Sequence, residues 1–221
     1  MTTPNAPVFG GPFVGPSGPF VANMPSAPTL PLDTLTHVAS TAADSIIDTY
    51  HDALKAARGT LPSFYVPPAT AADGKKTPNI LWNGNSYNDG EAFREAYEED
   101  MPGHTYYDVQ SVDAQVLTVE PEDDGTAAAN TTDATPNGEP AAVNGASPPK
   151  APKKEEDRVR SILVQASGFV RLQEHKDGPQ RAFSETIVLV RNPAVEKDRA
   201  RGLTGDGRRW LIQSQVFRYI V

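Results

Sequence analysis

The chain has 221 residues, of which 21 are proline and 17 are glycine, and its formal net charge at pH 7 is -8. This composition predicts one folded domain of modest size, with long segments that do not pack. The sequence contains no cysteine, so disulfide bonds, thiolate catalysis and cysteine-containing zinc sites are excluded. Residues 150–221 carry 15 basic and 9 acidic side chains, whereas residues 1–149 carry 5 and 19. The C-terminal part is therefore the one suited to an anionic partner.

Residues 1–31 are rich in proline, glycine and alanine, with Phe9, Phe13 and Phe20 spaced among them. Such a segment buries too little apolar area to offset its ordering entropy, which predicts a disordered tail. A Phe-Gly segment like those of nuclear pore proteins is the alternative, although Phe9-Gly10 is its one true Phe-Gly pair. The tail does not resemble a secretory signal, and no apolar run approaches the roughly 20 residues of a membrane span. We expect a soluble intracellular protein with no membrane partner.

A long amphipathic helix is predicted from Asp33 onward. Its apolar residues recur with the three- and four-residue spacing of a single helix face, and Gly59 stands where a glycine C-cap belongs. His37 and His51 lie within this helix and are interpreted as surface or partly buried residues. The apolar residues of the predicted face are Leu35, Val38, Ala39, Ala42, Ile46, Tyr50, Leu54 and Ala57.

The next segment combines a short strand, a turn and a second helix. The apolar run from Ile80 to Trp82 is typical of a strand that is buried on both faces. Asn83-Gly84 follows it, and both residue types tolerate a positive φ, which makes this pair a strong turn signal. The segment from Glu91 to Glu99 has helix-forming composition.

The stretch from Thr105 to Val119 predicts a strand with a β-bulge. Its apolar positions fall on odd numbers up to Val109 and then on even numbers from Val112, and one extra residue would produce this change of face. Residues 120–157 follow, and they contain almost no large apolar side chains. This composition predicts a low-complexity insertion between two strands that does not fold alone.

Three more strands are predicted at residues 159–173, 181–191 and 208–221, the first two joined by a hairpin with an Asp-Gly turn signal. In each strand, apolar side chains occupy both odd and even positions, whereas an antiparallel sheet with one solvated face should alternate. The two predicted helices can cover one face of the sheet. The other face therefore requires a cover from outside the chain, which predicts a protein–protein interface.

Six stretches in this order of elements are similar to one known family: "IIDTYHDAL", "ILWNGN", "GEAFREAYEEDMP", "SGFVRL", "FSETIVLV" and "WLIQSQVFRYI". The chain resembles the nuclear transport factor 2-like superfamily, in which a curved antiparallel sheet wraps around a long helix to form a cone. Within it, the resemblance is strongest to the small subunits of mRNA export receptor heterodimers, called mRNA transport regulators in fungi. The resemblance covers Leu35 to Val221 apart from the insertion, and implies an α+β domain at residues 32–221.

The resemblance implies a non-enzymatic binding protein without a cofactor. Such a small subunit pairs through its sheet face with the similar domain of a large subunit, and the heterodimer carries mRNA through nuclear pores by contacting Phe-Gly nucleoporins. The implied location is the nucleus and the nuclear pore, with shuttling to the cytoplasm. The family's Phe-Arg position near the chain end lies at the dimer interface, so Arg218 is expected to pair with a carboxylate of the partner. The other expected interface residues are Phe217, Gln215, Tyr219, Glu185 and Ile187.

Two other functions fit the same fold. Isomerases and dehydratases of this fold place an acid–base pair inside the cone, which requires a cavity and a pKa tuned by burial. The candidates here lie on or beside one predicted strand, with no second cluster facing them. A homodimeric nuclear import factor is the other alternative. The long insertion and the Trp-Asn-Gly-Asn match favour the small subunit of an mRNA export receptor over this alternative. The enzyme candidates are Asp108, Asp113, Tyr107 and His104.

Weak, sequence-independent RNA binding is a further expectation. The segment from Asn192 to Trp210 is basic and is interpreted as a mobile loop, and the insertion ends in lysines; such cations suit contacts with phosphate. No aromatic residues alternate with the arginines, which argues against sequence-specific readout. The candidate RNA-binding residues are Arg199, Arg201, Arg208, Arg209, Lys153 and Lys154.

Overall fold

The computed structural model of the chain describes residues 30–121, 154–172, 178–200 and 207–220, with side chains described up to Lys197 in the third range. Residues 1–29 of the predicted N-terminal tail and most of the predicted insertion lie outside these residues, whereas Leu30 is buried in the core. The helices are α1 (Leu32–Ala56), α2 (Gly90–Asp100) and α3 (Pro193–Ala200), with 3-10 helices at Arg58–Phe64 and Glu155–Arg158. The strands are β1 (Ala69–Thr70), β2 (Lys76–Thr77), β3 (Asn79–Trp82), β4 (Asn85–Tyr87), β5 (Tyr106–Val119), β6 (Val159–Arg171), β7 (Gln180–Arg191) and β8 (Trp210–Ile220).

Six strands form one mixed sheet in the order β4-β3-β8-β7-β6-β5, and β1 pairs with β2 separately. The four long strands, β5 to β8, are antiparallel to their neighbours. With the long N-terminal helix, they confirm the predicted α+β class. β3 runs parallel to β8, so the sheet is not antiparallel throughout as predicted. The reason is that most of the chain separates these two strands, and no tight turn dictates their relative direction.

The predicted apolar face of α1 is confirmed from Val38 to Leu54, whereas Leu35 is only partly buried and Ala57 is exposed after the end of the helix. Val38, Ala42, Ile46, Tyr50 and Leu54 are at most 6% exposed, and together with the inward residues of the strands they form the hydrophobic core. The helix crosses β5 and β6. Its stability therefore comes chiefly from packing this face against the sheet. None of the helices in the described ranges is both long enough and apolar enough to cross a membrane.

The end of α1 differs from the predicted glycine cap. The helix ends at Ala56, and Gly59 lies inside the following 3-10 helix. The last carbonyls of α1 find donors in another way. The backbone N–H of Ala57 bonds to the carbonyl four residues earlier at 3.0 Å, and Arg58 Nε donates to the Leu54 oxygen at 3.3 Å. These hydrogen bonds remove the need for a left-handed glycine at this position.

The predicted turn at Asn83-Gly84 is confirmed, since these residues have φ values of 48° and 93°. The turn joins β3 to β4, a short strand that was not predicted from the sequence. Asn83 also connects the β3–β4 hairpin to β8 through two hydrogen bonds. Its side-chain oxygen accepts from the backbone N–H of Tyr219 at 2.9 Å, and its own N–H donates to the Phe217 oxygen at 2.9 Å.

The predicted bulge in β5 is also confirmed. The register of β5 on β6 shifts between Val109 and Ser111, and Val109 lies opposite Gly168. A Cβ atom at Gly168 would lie 2.1 Å from the carbonyl oxygen of Asp108, so no side chain fits there without moving the backbone. The glycine therefore allows β5 and β6 to approach closely at the bulge.

The residues that flank the predicted insertion, or lie at its two ends, form hydrogen bonds and an ion pair with one another. Glu120 N donates to the Arg158 oxygen at 2.8 Å, and Arg158 Nε donates to the Glu120 oxygen at 3.1 Å. Arg160 Nη2 lies 2.5 Å from Glu120 Oε1. The chain therefore leaves and re-enters the domain at adjacent points, which a short connection can join.

Deleting residues 124–152 is expected to leave the fold intact and to change the free energy of unfolding by no more than about 1 kcal/mol. The entropy of loop closure depends only weakly on loop length, and the deleted segment is almost devoid of large apolar side chains. Urea unfolding of the full-length and shortened chains measures the difference. Loss of a cooperative transition in the shortened chain would show that the insertion is structural.

Candidate partner interface

The two faces of the sheet have different environments. On the inner face, alternate residues of β6, β7 and β8 are buried against α1. The residues between them point to the opposite side, which we call the outer face. There the apolar side chains are only partly buried, apart from Leu211 at 6% exposed. Leu81 of β3 is among the partly buried ones, so β3 is not buried on both faces as predicted. The half-buried apolar residues of the outer face include Leu81, Leu163, Val188, Val190 and Val216.

The outer face has a polar centre with apolar residues on both sides. The strand register aligns Ser167, Ser184 and Arg218 in one row across β6, β7 and β8. The row nearer the end of β8 contains Phe169 and Ile220, which are 39% and 52% exposed. The rows on the other side of the polar centre contain the half-buried residues named above. Exposed apolar side chains around a sparse set of polar groups are typical of a protein–protein interface.

Arg218 is the one charged side chain on the outer positions of β7 and β8. It forms no hydrogen bond or ion pair with the described part of the chain. It borders an open cleft of about 580 Å³, which is also lined by Leu81, the Asn83-Gly84 turn, Phe217 and Tyr219. Since a guanidinium binds a carboxylate through two parallel hydrogen bonds, this cleft is suited to an acidic side chain that a partner supplies.

Of the other residues predicted at the interface, Phe217 and Tyr219 also line this cleft, although their side chains lie mostly on the inner side. Tyr219 is half-buried on the inner side. The remaining residues face α1 and are at most 1% exposed: Gln215, Phe217, Glu185 and Ile187. Burial on the inner face gives no support for Gln215, Glu185 and Ile187 as partner contacts, and their place at the interface stays a prediction. The reason for their burial is strand alternation, because consecutive residues such as Phe217 and Arg218 point to opposite faces of a sheet.

A buried polar network lies on the inner face, and none of its five members is more than 7% exposed. His51 Nε2 lies 2.9 Å from Glu185 Oε2, and Gln215 Nε2 donates to Glu185 Oε1 at 2.5 Å. Tyr65 OH donates to Gln215 Oε1 at 2.5 Å and lies 2.7 Å from Tyr50 OH. The Glu185 carboxylate therefore contacts His51 of α1 and Gln215 of β8, and these contacts connect the helix to the sheet. This network was not predicted from the sequence.

Aromatic rings fill the space beside the His51–Glu185 pair. Tyr107 stacks on His51 with ring centroids 5.0 Å apart, and its hydroxyl lies 2.9 Å from that of Tyr97. Burial raises the pKa of Tyr107 well above its usual value and raises the pKa of Tyr97 to about 12. Both hydroxyls therefore stay protonated at neutral pH and act as neutral hydrogen-bonding groups.

The predicted enzyme residues are not brought together. His104, Asp108 and Asp113 are exposed, whereas Tyr107 points to the inner side. The clefts of about 580 and 170 Å³ in the described region are lined by other residues. Within the described ranges, no group of three histidine, aspartate or glutamate side chains is placed to hold a metal ion.

Two of the predicted RNA-binding arginines are engaged within the domain. Arg208 lies over the Phe64 ring, with its guanidinium carbon 3.6 Å from the ring centroid, and donates to Ser63 Oγ at 2.8 Å. Arg209 Nη2 lies 2.9 Å from Asp157 Oδ1. These contacts make both guanidinium groups less available to phosphate.

The remaining RNA-binding candidates have no described contact with one another. Lys154 is exposed, whereas Arg201, Lys153 and the side chain of Arg199 lie outside the described residues. The segment that was interpreted as a mobile loop contains α3, so that part of the interpretation is wrong. RNA binding stays a prediction.

No family model matches the sequence, and no curated protein does. Solved structures do match. A chain from the structure of a Sac3N peptide bound to Mex67:Mtr2 superposes with a TM-score of 0.55 and 20% identity, over 83% of this chain and 99% of that chain. The Chaetomium thermophilum Mex67 NTF2-like domain complexed with Mtr2 gives 0.55 and 19% over the same shares, and a structure of Mtr2 gives 0.53 and 19%. The chain therefore has the nuclear transport factor 2-like (NTF2-like) fold, with Mtr2 among its structural neighbours.

Proposed function

We propose that the chain is the non-enzymatic small subunit of a heterodimeric nuclear mRNA export receptor. Its outer face binds the NTF2-like domain of a large subunit, with Arg218 near the centre of the contact. The outer face is the observation that supports this most, because its apolar residues are partly exposed on a fold whose solved neighbours include Mtr2 complexed with Mex67. The heterodimer contacts Phe-Gly nucleoporins and shuttles mRNA from the nucleus to the cytoplasm.

The dimensions of the outer face suit this role. The strands β5 to β8 have 14, 13, 12 and 11 residues. At about 3.3 Å per residue and about 4.8 Å between strands, they present roughly 800 Å². A stable interface buries about 800 Å² on each partner, so this face supplies most of the area required. Covering its apolar residues contributes about 25 cal/mol for each Å² removed from water.

Full-length chain is expected to self-associate or to be poorly soluble alone, and to form a stable one-to-one complex when co-expressed with a large subunit's NTF2-like domain. Val188→Glu should abolish this complex, because it places an unpaired carboxylate in the contact at a cost of several kcal/mol. Ser40→Glu, at an exposed position of α1, is the matched control and should leave the complex unchanged. Size-exclusion chromatography with light scattering measures both.

The alternatives give different results in the same experiment. If the chain is a monodisperse, thermally stable monomer that does not bind the large subunit's NTF2-like domain, the proposal is contradicted. A stable homodimer would support the nuclear import factor instead. A cavity enzyme has weaker support, because the His51–Glu185 pair is buried and the clefts described above are lined by other residues.

A further inference from the structure

The β5 side of the sheet ends in a strand edge with no partner in the described part of the chain. β5 is the last strand in the order of the six-stranded sheet, and it pairs with β6 alone. Within the described residues, its backbone forms backbone hydrogen bonds only with that of β6. In an antiparallel ladder, every second residue directs its N–H and C=O groups away from the neighbouring strand. β5 therefore presents free backbone donors and acceptors along its open side.

The longest regular part of this open side is the segment from Ser111 to Val116, which we call the β5 edge. The register of β5 on β6 shifts just before this segment and just after it, and is continuous within it. Six residues are a common strand length, and alternate residues provide about six free N–H and C=O groups. The exposed side chains of the segment are Ser111, Val112, Asp113 and Gln115.

The β5 edge lacks the side chains that usually prevent a strand edge from pairing with another chain. Lysine and proline are the commonest of these, and β5 has the sequence "YYDVQSVDAQVLTV", which contains neither of them and no arginine. Its apolar side chains are also accessible, since Val112 is 38% exposed and Leu117, beside the segment, is 49% exposed. A further strand can therefore pair with the β5 edge.

The side chains of β5 that border this edge on the outer face are acidic. Asp108 and Asp113 are exposed and form no ion pair with the described residues. They lie opposite Phe169 and Gln165 of β6, which alternate with the buried residues of that strand and so belong to the outer face. A strand added beside β5 would therefore meet two carboxylates on its outer side.

α1 adds a carboxylate on the inner side of the same edge. His51 of α1 stacks on Tyr107 of β5 with ring centroids 5.0 Å apart, which shows that this side of the helix faces β5. Asp44 lies two helical turns before His51 and therefore on the same side of α1. It is exposed and forms no ion pair with the described residues. The Lys55 ammonium lies 5.3 Å from the ring of Tyr106, at the start of β5 and outside the β5 edge.

We propose that the β5 edge binds an extended basic segment of a partner protein as an added strand. Backbone hydrogen bonds would supply affinity, and alternate side chains would supply selectivity. Arginine or lysine would lie on the outer side beside Asp113, and a β-branched apolar residue would lie on the inner side beside Val112. The proposal goes beyond the proposed function, because strand addition uses backbone groups that point along the plane of the sheet.

A second copy of this chain fits the β5 edge less well than a basic segment does. Pairing two copies of β5 would bring acidic strands together, with no basic residue on either strand to neutralise them. Like charges on neighbouring strands are destabilising, whereas opposite charges stabilise the pair.

The test measures binding of the labelled peptide Arg-Val-Arg-Val-Arg-Val to the full-length chain by fluorescence anisotropy. Two peptides are compared with it: Glu-Val-Glu-Val-Glu-Val, and the arginine peptide with a methyl group on every backbone nitrogen. The methylated peptide keeps the charge and the side chains but has no N–H donors for a strand ladder. The arginine peptide is expected to bind about tenfold or more tighter than either of them.

Variants of the chain separate the β5 edge from other acidic surfaces. Asp108→Asn/Asp113→Asn should lower the affinity for the arginine peptide by about tenfold. Glu95→Gln/Glu99→Gln is the matched control, because it removes the same charge from exposed positions of α2, and it should leave the affinity unchanged. Val188→Glu, which disrupts the proposed contact with the large subunit, should also leave it unchanged, so the two proposals can fail separately.

Amide hydrogen exchange of the unmodified chain locates the bound peptide without any substitution. The arginine peptide should slow exchange in Ser111–Val116 and leave exchange in β8 unchanged. Equal affinities for the arginine and methylated peptides, equal effects of the two double variants, or protection of other strands instead of β5 would each overturn the proposal. Protection of β5 that grows with chain concentration in the absence of peptide would assign the edge to a second copy and would also overturn it.

Discussion

Replacing Glu185 with alanine is expected to lower the free energy of unfolding by about 3 to 5 kcal/mol, because it breaks a buried and hydrogen-bonded pair. His51 Nε2 and Gln215 Nε2 would lose the oxygens that they contact at 2.9 and 2.5 Å. Each buried polar group left without a partner costs about 1 to 3 kcal/mol. Glu185→Gln keeps an oxygen acceptor at the same place and should cost less than the alanine variant.

Urea unfolding of the full-length variants measures this cost. Asp113→Ala is the matched control, since Asp113 is an exposed carboxylate on a strand of the same sheet and should change stability by no more than about 0.5 kcal/mol. A double-mutant cycle of Glu185→Ala with His51→Phe should show a coupling energy of about 0.5 to 3 kcal/mol, as for residues in contact. If Glu185→Ala and Asp113→Ala unfold at the same urea concentration, the network does not stabilise the fold.

The polar network could have been located, in part, from strand alternation. Glu185 has the parity of Phe183 and Ile187, which are both fully buried, and Gln215 has the parity of the buried Phe217. A polar residue at such a position predicts a buried polar group that needs a partner. The partner itself could not be predicted, because His51 lies 134 residues away in sequence and local patterns do not show which distant elements meet.

The features that sequence predicted correctly are those with a local cause. The periodic face of α1, the turn at Asn83-Gly84 and the bulge in β5 each depend on residues that are close in the chain. β1, β2 and β4 have two or three residues each, which is too short for a periodic pattern. The same alternation rule separates Arg218 from Phe217, and applying it strictly would have placed only Arg218 of the six predicted interface residues on the outer face.

Replacing Arg218 with alanine is expected to weaken binding to the large subunit's NTF2-like domain by about 2 to 5 kcal/mol, because it would leave the partner's carboxylate buried and unpaired. Arg218 is exposed in the isolated chain and forms no ion pair with the described residues. The substitution should therefore leave the stability of the isolated chain nearly unchanged. A loss of affinity without a loss of stability assigns the effect to the interface.

Isothermal titration of the variants against the large subunit's NTF2-like domain measures this effect. Lys76→Ala removes the same charge from an exposed position in β2 and should leave the affinity almost unchanged. Arg218→Lys separates charge from geometry, since lysine keeps the charge but cannot form the two parallel hydrogen bonds of a guanidinium. We expect it to bind with an affinity between those of the wild type and Arg218→Ala. Equal affinities for Arg218→Ala and Lys76→Ala would show that Arg218 does not contribute to the interface. If both variants still form the complex, the proposal that the outer face is the contact surface would stand.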